Sequence, residues 1–292
     1  MRLNLLIKSV GQTGTLNNHI KIKGICLPVL VATRFAAFVF TIAALTNAPA
    51  YAEKFASIII DDVGNNLKNG QDIIKLPVAL TIAILPKTNY ATQLARLAAK
   101  NHKEVMLHLP MQSVEHHKHS PGTLDLHMTK SEFTKQLRLN LNSVPYVRGV
   151  NNHMGSLLTR HPGHMRWLMD ELSHRGGLYF IDSRTTSKSV AEKVAIEYNI
   201  PNLSRDFFLD PDDRENTLRR QFDRFIKKVQ QRGYAIAIAH PYPKTIDFLQ
   251  NNLKELNEQG ITLLPVSKLI RKTTKKRENK HVACTGTPCT GL

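Results

Sequence analysis

The feature that most constrains this chain is a series of short, continuous apolar runs, most of them ending in a polar residue. Residues 55–60 (FASIII) run into Asp61-Asp62, and residues 78–85 (VALTIAIL) stop at Pro86. Further runs cover residues 105–109, 147–150, 178–181, 207–209, 234–239 and 261–264. Unbroken rather than alternating hydrophobicity means burial on both faces, which is the signature of strands in a parallel sheet. Helical spacing fills the gaps. Leu94, Leu97 and Ala98 mark one helix, and Trp167, Leu168 and Leu172 mark another opened by Pro162. Leu218, Phe222, Phe225, Ile226 and Val229 mark a third that stops at Gly233, and residues 245–258 a fourth that ends before Gly260. Such βαβ alternation over about 220 residues implies one α/β domain, either a barrel or an open sheet.

The ends of the chain differ from this core. Arg34, the apolar run at residues 35–46 and the Ala50-Tyr51-Ala52 site form a secretory-signal pattern. The run is short for a membrane span, which needs about 20 apolar residues. Residues 1–52 are therefore read as a signal peptide cleaved after Ala52, residues 53–270 as the folded domain, and residues 271–292 as a disordered basic tail. Export implies the periplasm of a Gram-negative-type bacterium, with an uncleaved membrane anchor as the alternative. Cys284 and Cys289 fall in the tail, where an oxidising envelope would let them pair. Residues 53–270 contain no cysteine, so thiol chemistry is excluded there.

The net charge is +17. Residues 271–280 (RKTTKKRENK) hold six basic residues against Glu278. The charge is either an unspecific solvated surface or a means of peripheral contact with an anionic envelope surface. No nucleic-acid-binding motif accompanies it, so no specific nucleic acid is expected. The polar loop at residues 116–122 (HHKHSPG) is read as solvated.

The strand ends carry the chemistry. After Asp61-Asp62 come His108, then Asn151-Asn152-His153, Asp182-Ser183-Arg184, Asp210 and His240. In a parallel barrel the C-terminal ends of all strands share one rim, where sites are built. The plainer reading is that Asp and Asn cap the following helices, but six such endings among eight strands are more than capping explains. Two histidines and a carboxylate suit a borderline divalent metal such as zinc with open positions. A second carboxylate could take a proton from water, and a further histidine could protonate a leaving group.

The segments IIIDDVG (58–64), MLHLPM (106–111), NNHMGS (151–156), FIDSR (180–184) and IAHP (238–241) together resemble the divergent polysaccharide deacetylase family. The resemblance implies a single distorted (β/α) barrel of seven or eight mostly parallel strands. It also implies a metal-dependent hydrolase that removes acetyl groups from cell-envelope polysaccharide or a peptidoglycan-like glycan. By position, Asp61 matches the general base, Asp62 a metal ligand, His108 the first metal-binding histidine and His240 the general acid, with Asp182 supporting the site. The family's second metal-binding histidine would fall at Gln112, so His153 is expected to replace it, completing a Zn2+ set of Asp62, His108 and His153. The usual arginine motif is missing, and Arg184 or Arg205 is expected to hold Asp61. Asn151, Asn152, Ser156 and Arg184 are expected to bind substrate. The competing reading is a non-catalytic envelope protein that keeps the fold and binds glycan or a partner. A metal-dependent phosphoesterase ranks below both, because the ligand set is poor in carboxylates.

Overall fold

The computed structural model describes residues 53–115, 120–212 and 214–274. The strands are Lys54–Val63 (β1), Thr81–Ile84 (β2), Glu104–Met111 (β3), Val147–Met154 (β4), Tyr179–Asp182 (β5), Asn202–Ser204 (β6), Phe207–Phe208 (β7), Tyr234–Ala239 (β8) and Ile261–Leu263 (β9). Every ladder between them is parallel. The order is β6-β5-β4-β3-β2-β1-β8-β7, with β9 beside the start of β1.

The sheet curls until β5 and β8 approach, and a single segment spans the opening. It pairs with β5 as β6, then with β8 as β7. Between the two, Arg205 N donates to Asp182 O at 3.0 Å and Asp206 N to Ile236 O at 2.9 Å. The closure is thus one chain crossing rather than a ladder. The expected distorted barrel is present.

The helices are Leu67–Lys75 (α1), Ala91–Lys100 (α2), Lys130–Ser143 (α3), Pro162–Arg175 (α4), Ala191–Glu197 (α5), Glu215–Arg232 (α6), Pro243–Asn252 (α7) and Lys254–Glu258 (α8). A last helix, α9, covers residues 266–274. Gly233 ends α6 in the left-handed region at φ 86°, the conformation a glycine stop provides. Pro162 opens α4, where its missing N–H is no loss.

Pleating divides the core in two. On β1, Ile58 and Ile60 pack outward with the helices, while Ile59 joins an inner cluster. On β8, Ala235, Ala237 and Ala239 face out and Ile236 and Ile238 face in. The inner cluster also holds Ala83, Met106, Tyr179, Ile181 and Leu203. Gly149 makes room for it: a Cβ there would lie 2.3 Å from the Tyr179 ring.

Several expectations need correction. The apolar run at 78–85 yields only the four-residue β2, and residues 245–258 break into α7 and α8 at Leu253. β6 went unpredicted because only Leu203 of its three residues is buried. The folded domain does not stop at residue 270. Helix α9 continues to 274 and buries Val266, Leu269, Ile270 and Thr273. Val266 N donates to Thr81 Oγ1 and Ser267 N to Glu104 Oε1, at the first residues of β2 and β3. Helix α9 therefore closes the N-terminal end of the barrel. The signal peptide, the cysteine pair, the remainder of the basic tail and most of the His-rich loop lie outside the described residues.

Candidate active site

The inward columns of the barrel end in polar residues at the opposite, C-terminal end. Ile59 is followed two residues on by Asp61, Met106 by His108, Gly149 by Asn151, Ile181 by Ser183 and Ile238 by His240. Alternation on a strand sends residues i and i+2 to the same face. The same rule would send Asp62 away from Asp61. Two features prevent that: the β1–β2 register shifts between Ile60 and Val63, and Asp62 takes φ 57°. Aspartate tolerates the left-handed region better than most residues, so both carboxylates of the pair can serve one site.

Asp62, His108 and His153 present one ligand atom each in a compact group. Asp62 Oδ1 lies 3.1 Å from His108 Nε2 and 3.0 Å from His153 Nδ1, and the two nitrogens are 3.1 Å apart. Three ligands of a tetrahedral ion with bonds of ~2.0–2.1 Å would stand about 3.3 Å apart. The triangle is close to that face. Asp62 Oδ1 is shielded from solvent and meets no hydrogen-bond partner of good geometry among the described residues, although the two ring nitrogens lie within 3.1 Å of it. A buried, unsatisfied carboxylate oxygen facing two imidazole nitrogens calls for a cation. The donor set therefore fits a divalent metal.

The remaining groups surround that triangle. Asp61 is buried, with Oδ2 3.6 Å from His108 Nε2 and Oδ1 accepting from Asn151 Nδ2 at 2.8 Å. Burial pushes its carboxyl above the ordinary value, against the pull of His108 and His240. Burial acts the same way on Asp62, but His108 and His153 outweigh it and hold that carboxyl well below the usual range. His240 Nε2 lies 4.0 Å from Asp62 Oδ2. Its Nδ1 meets Asp210 Oδ1 at 3.0 Å, and its backbone N donates to Asp210 Oδ2 at 2.7 Å. Burial lowers the His240 pKa, but the hydrogen bond and charge of Asp210 reverse this and push it up to about 9. Thr245 Oγ1 donates to the same carboxylate at 2.9 Å. Phe208 and Tyr242 both stack on the His240 ring, at interplanar angles of 21° and 25°. Tyr242 is half-exposed at the mouth.

A family profile described as divergent polysaccharide deacetylase matches residues 58–270, from the strand of the Asp pair to the middle of the closing helix. The chain belongs to the divergent polysaccharide deacetylase family. An uncharacterized protein of Haemophilus influenzae is 36% identical over 79% of this chain and 82% of its own length. The uncharacterized protein YibQ of Escherichia coli is 35% identical over 77% of this chain and 69% of its own. The crystal structure of an uncharacterized protein from Agrobacterium tumefaciens superposes with a TM-score of 0.72 at 21% identity, over 75% of this chain and 90% of that one. That likeness shows the fold.

Within this family frame, the expected residues separate into those at the site and those beside it. Asp61, Asp62, His108, His153 and His240 come together. Asp182 does not join them: it sits on the outward face of β5, and its oxygens accept from Arg184 N at 2.8 Å and Ser189 Oγ at 2.7 Å. It shapes the turn after β5. The next residue, Ser183, faces in, with Oγ 3.3 Å from Asn151 Nδ2. Asn152, expected at the substrate, is buried; its amide accepts from Ser183 N and donates to Met154 O. Asn151 is buried too, and its amide meets His108, Asp61 and Ser183. Ser156 Oγ accepts from Val114 N at 2.9 Å, tying together the loops after β3 and β4. Arg184 reaches away to Glu192 at 2.7 Å. Arg205 donates to the Ser183 and Arg184 carbonyls and stacks on Phe208. Neither arginine holds Asp61; Asn151 does. Gln112 accepts from Leu126 N through its side chain and from Leu157 N and Leu158 N through its carbonyl, so it organises loops. Asp210 received no role from sequence, although its place at a strand end was the available signal.

Proposed function

We propose that this protein is an exported hydrolase that removes acetyl groups from cell-envelope polysaccharide, using a divalent metal of the zinc type held by Asp62, His108 and His153. The observation that carries the reading is the triangle of those three ligands with two differently tuned proton carriers beside it. The chemistry such a cation supplies when bound is Lewis acidity toward water and toward an acyl oxygen. Asp61 takes the proton of the attacking water, and its raised pKa makes it a stronger base than an ordinary carboxylate. Water adds to the acetyl carbon and the C–N or C–O bond breaks. His240, held protonated by Asp210, gives its proton to the departing amine or alkoxide, and acetate leaves. The half-exposed Tyr242 ring offers a flat apolar face at the mouth, where a sugar can lie against it.

The test is acetate release from acetylated peptidoglycan or chitooligosaccharide by metal-loaded protein. Wild type should turn over and Asp61→Asn should not. Undiminished turnover in both Asp61→Asn and His108→Ala would refute the assignment. Stoichiometric glycan binding without turnover under any divalent metal would replace it with the binding-protein reading. N-terminal sequencing of the secreted protein should give Glu53 as the first residue.

A further inference from the structure

Asn151 lies at the centre of the buried polar group and touches both halves of the machinery. Its Nδ2 is 2.8 Å from Asp61 Oδ1 and its Oδ1 is 2.9 Å from His108 Nδ1. The side chain is fully buried, and β4 pairs His108 directly with Asn151 across the ladder. The contact is therefore set by sheet register and not by a mobile loop.

Donor and acceptor chemistry fixes the direction of this chain. An ionised carboxylate only accepts, so the amide must turn its NH2 to Asp61. Its carbonyl then faces His108 and must receive a proton from Nδ1. With Nδ1 carrying the hydrogen, the lone pair of neutral His108 is on Nε2. That is the nitrogen 3.1 Å from both Asp62 Oδ1 and His153 Nδ1. One amide thus sets the ligating face of His108 and the rotamer of the base.

Resting on the metal-site reading above, we propose that Asn151 is the positioning residue of this site: a neutral bridge that selects the metal-ligating tautomer of His108 and anchors Asp61. It takes the place expected of an arginine beside the base. An arginine could anchor Asp61 but has no acceptor to offer His108. An amide does both, and adds no charge to a buried site that already holds two carboxylates.

Two substitutions separate the functions. Asn151→Ala removes both contacts. Asn151→Asp keeps an acceptor for His108 Nδ1 but replaces the amide donor to Asp61 with a second carboxyl, so the two acids must share a proton and Asp61 is no longer a free base. The readouts are the zinc Kd from chelator competition and the nitrogen-15 spectrum of the His108 ring in zinc-loaded protein at pH 8, with circular dichroism to score folding. Zinc-loaded wild type should show the His108 proton on Nδ1 and the metal on Nε2. Asn151→Ala should lose about 10–100-fold in zinc affinity, the range for a group that orients a ligand. Asn151→Asp should stay within about tenfold of wild type in zinc affinity, yet fall with Asp61→Asn in acetate release.

If Asn151→Ala does not fold, the ring spectrum of wild type and the affinity of Asn151→Asp still decide. Metal on Nδ1 of His108, or wild-type zinc affinity in folded Asn151→Ala, overturns the proposal. So does a loss in Asn151→Asp as large as that expected for Asn151→Ala. A wild type that binds zinc with this tautomer but releases no acetate leaves the bridge standing and removes the deacetylase reading. A wild type that binds no divalent metal overturns both.

Discussion

The two ends of the barrel each hold a carboxylate, half-buried Glu104 at one and buried Asp61 at the other, and they treat it differently. At the closed end, Glu104 Oε1 accepts from Tyr179 O–H at 2.8 Å, Ser267 N at 3.0 Å and Thr81 Oγ1 at 3.3 Å. These neutral donors come from the neighbouring strand β2, from β5 two strands away on the other side, and from helix α9, so the elements are tied together. At the open end, Asp61 has one close donor, Asn151, and an imidazole at 3.6 Å. A buried carboxylate short of donors is costly to keep ionised, which is why its pKa rises. The two carboxylates differ in both burial and donors: half-buried Glu104 has three donors that tie elements together, whereas buried Asp61 has one and sits beside the metal-ligand triangle.

The comparison can be broken most sharply at Asp61. Asp61→Asn should lower kcat for acetate release by about 10²–10⁴-fold, the usual contribution of a general base, while the melting temperature stays level or rises. A drop in stability without loss of turnover would reverse the two ends' roles.

The closed end should give the opposite result. Leu269→Ala removes a buried side chain of helix α9 and should cost about 2–5 kcal/mol in urea unfolding, with acetate release per folded molecule unchanged. Glu104→Ala should also destabilise, because it leaves the Tyr179, Ser267 and Thr81 donors without their acceptor; for the two on buried residues, Tyr179 and Thr81, the cost is about 1–3 kcal/mol each.

The acid arm of the open end is tested by pH. His240 has a raised pKa, so it stays protonated up to about pH 9 and its proton is lost above that. Turnover should therefore decline as pH rises through about 9. Asp210→Asn removes the charge that raises the value, so the decline should begin at lower pH. An unmoved basic limb would mean that His240 is not the proton donor.

The smallest effect belongs to Arg184, half-exposed in its pair with Glu192. Arg184→Ala should cost about 0.2–1 kcal/mol and leave KM for glycan unchanged. A large rise in KM would return it to the substrate.

Much of this was legible in the sequence. Each predicted strand exists, although the run at 78–85 shrinks to β2, and five of the rim residues assigned from position come together. The misses have particular causes. β6 carries one buried residue between Asn202 and Ser204, too little apolar signal for a strand. Helix α9 extends beyond residue 270 into a basic, polar stretch, and its packing depends on the barrel floor that only folding assembles.

The division within the strand-end clusters has a deeper reason. Asp182 and Asn152 were as plausible as Ser183 and Asn151, because a strand apolar on both faces carries no alternation from which to read its parity. The apolar runs settled that this chain builds a parallel α/β sheet with polar strand ends, since continuous apolar strands are stable only when covered on both sides; they left a barrel and an open sheet as alternatives. Which of those polar residues meet was decided by the tertiary structure. Pleat parity turned Asn151, Ser183 and His240 inward and Asp182 outward, and the register shift with positive φ at Asp62 brought the second aspartate back to the first.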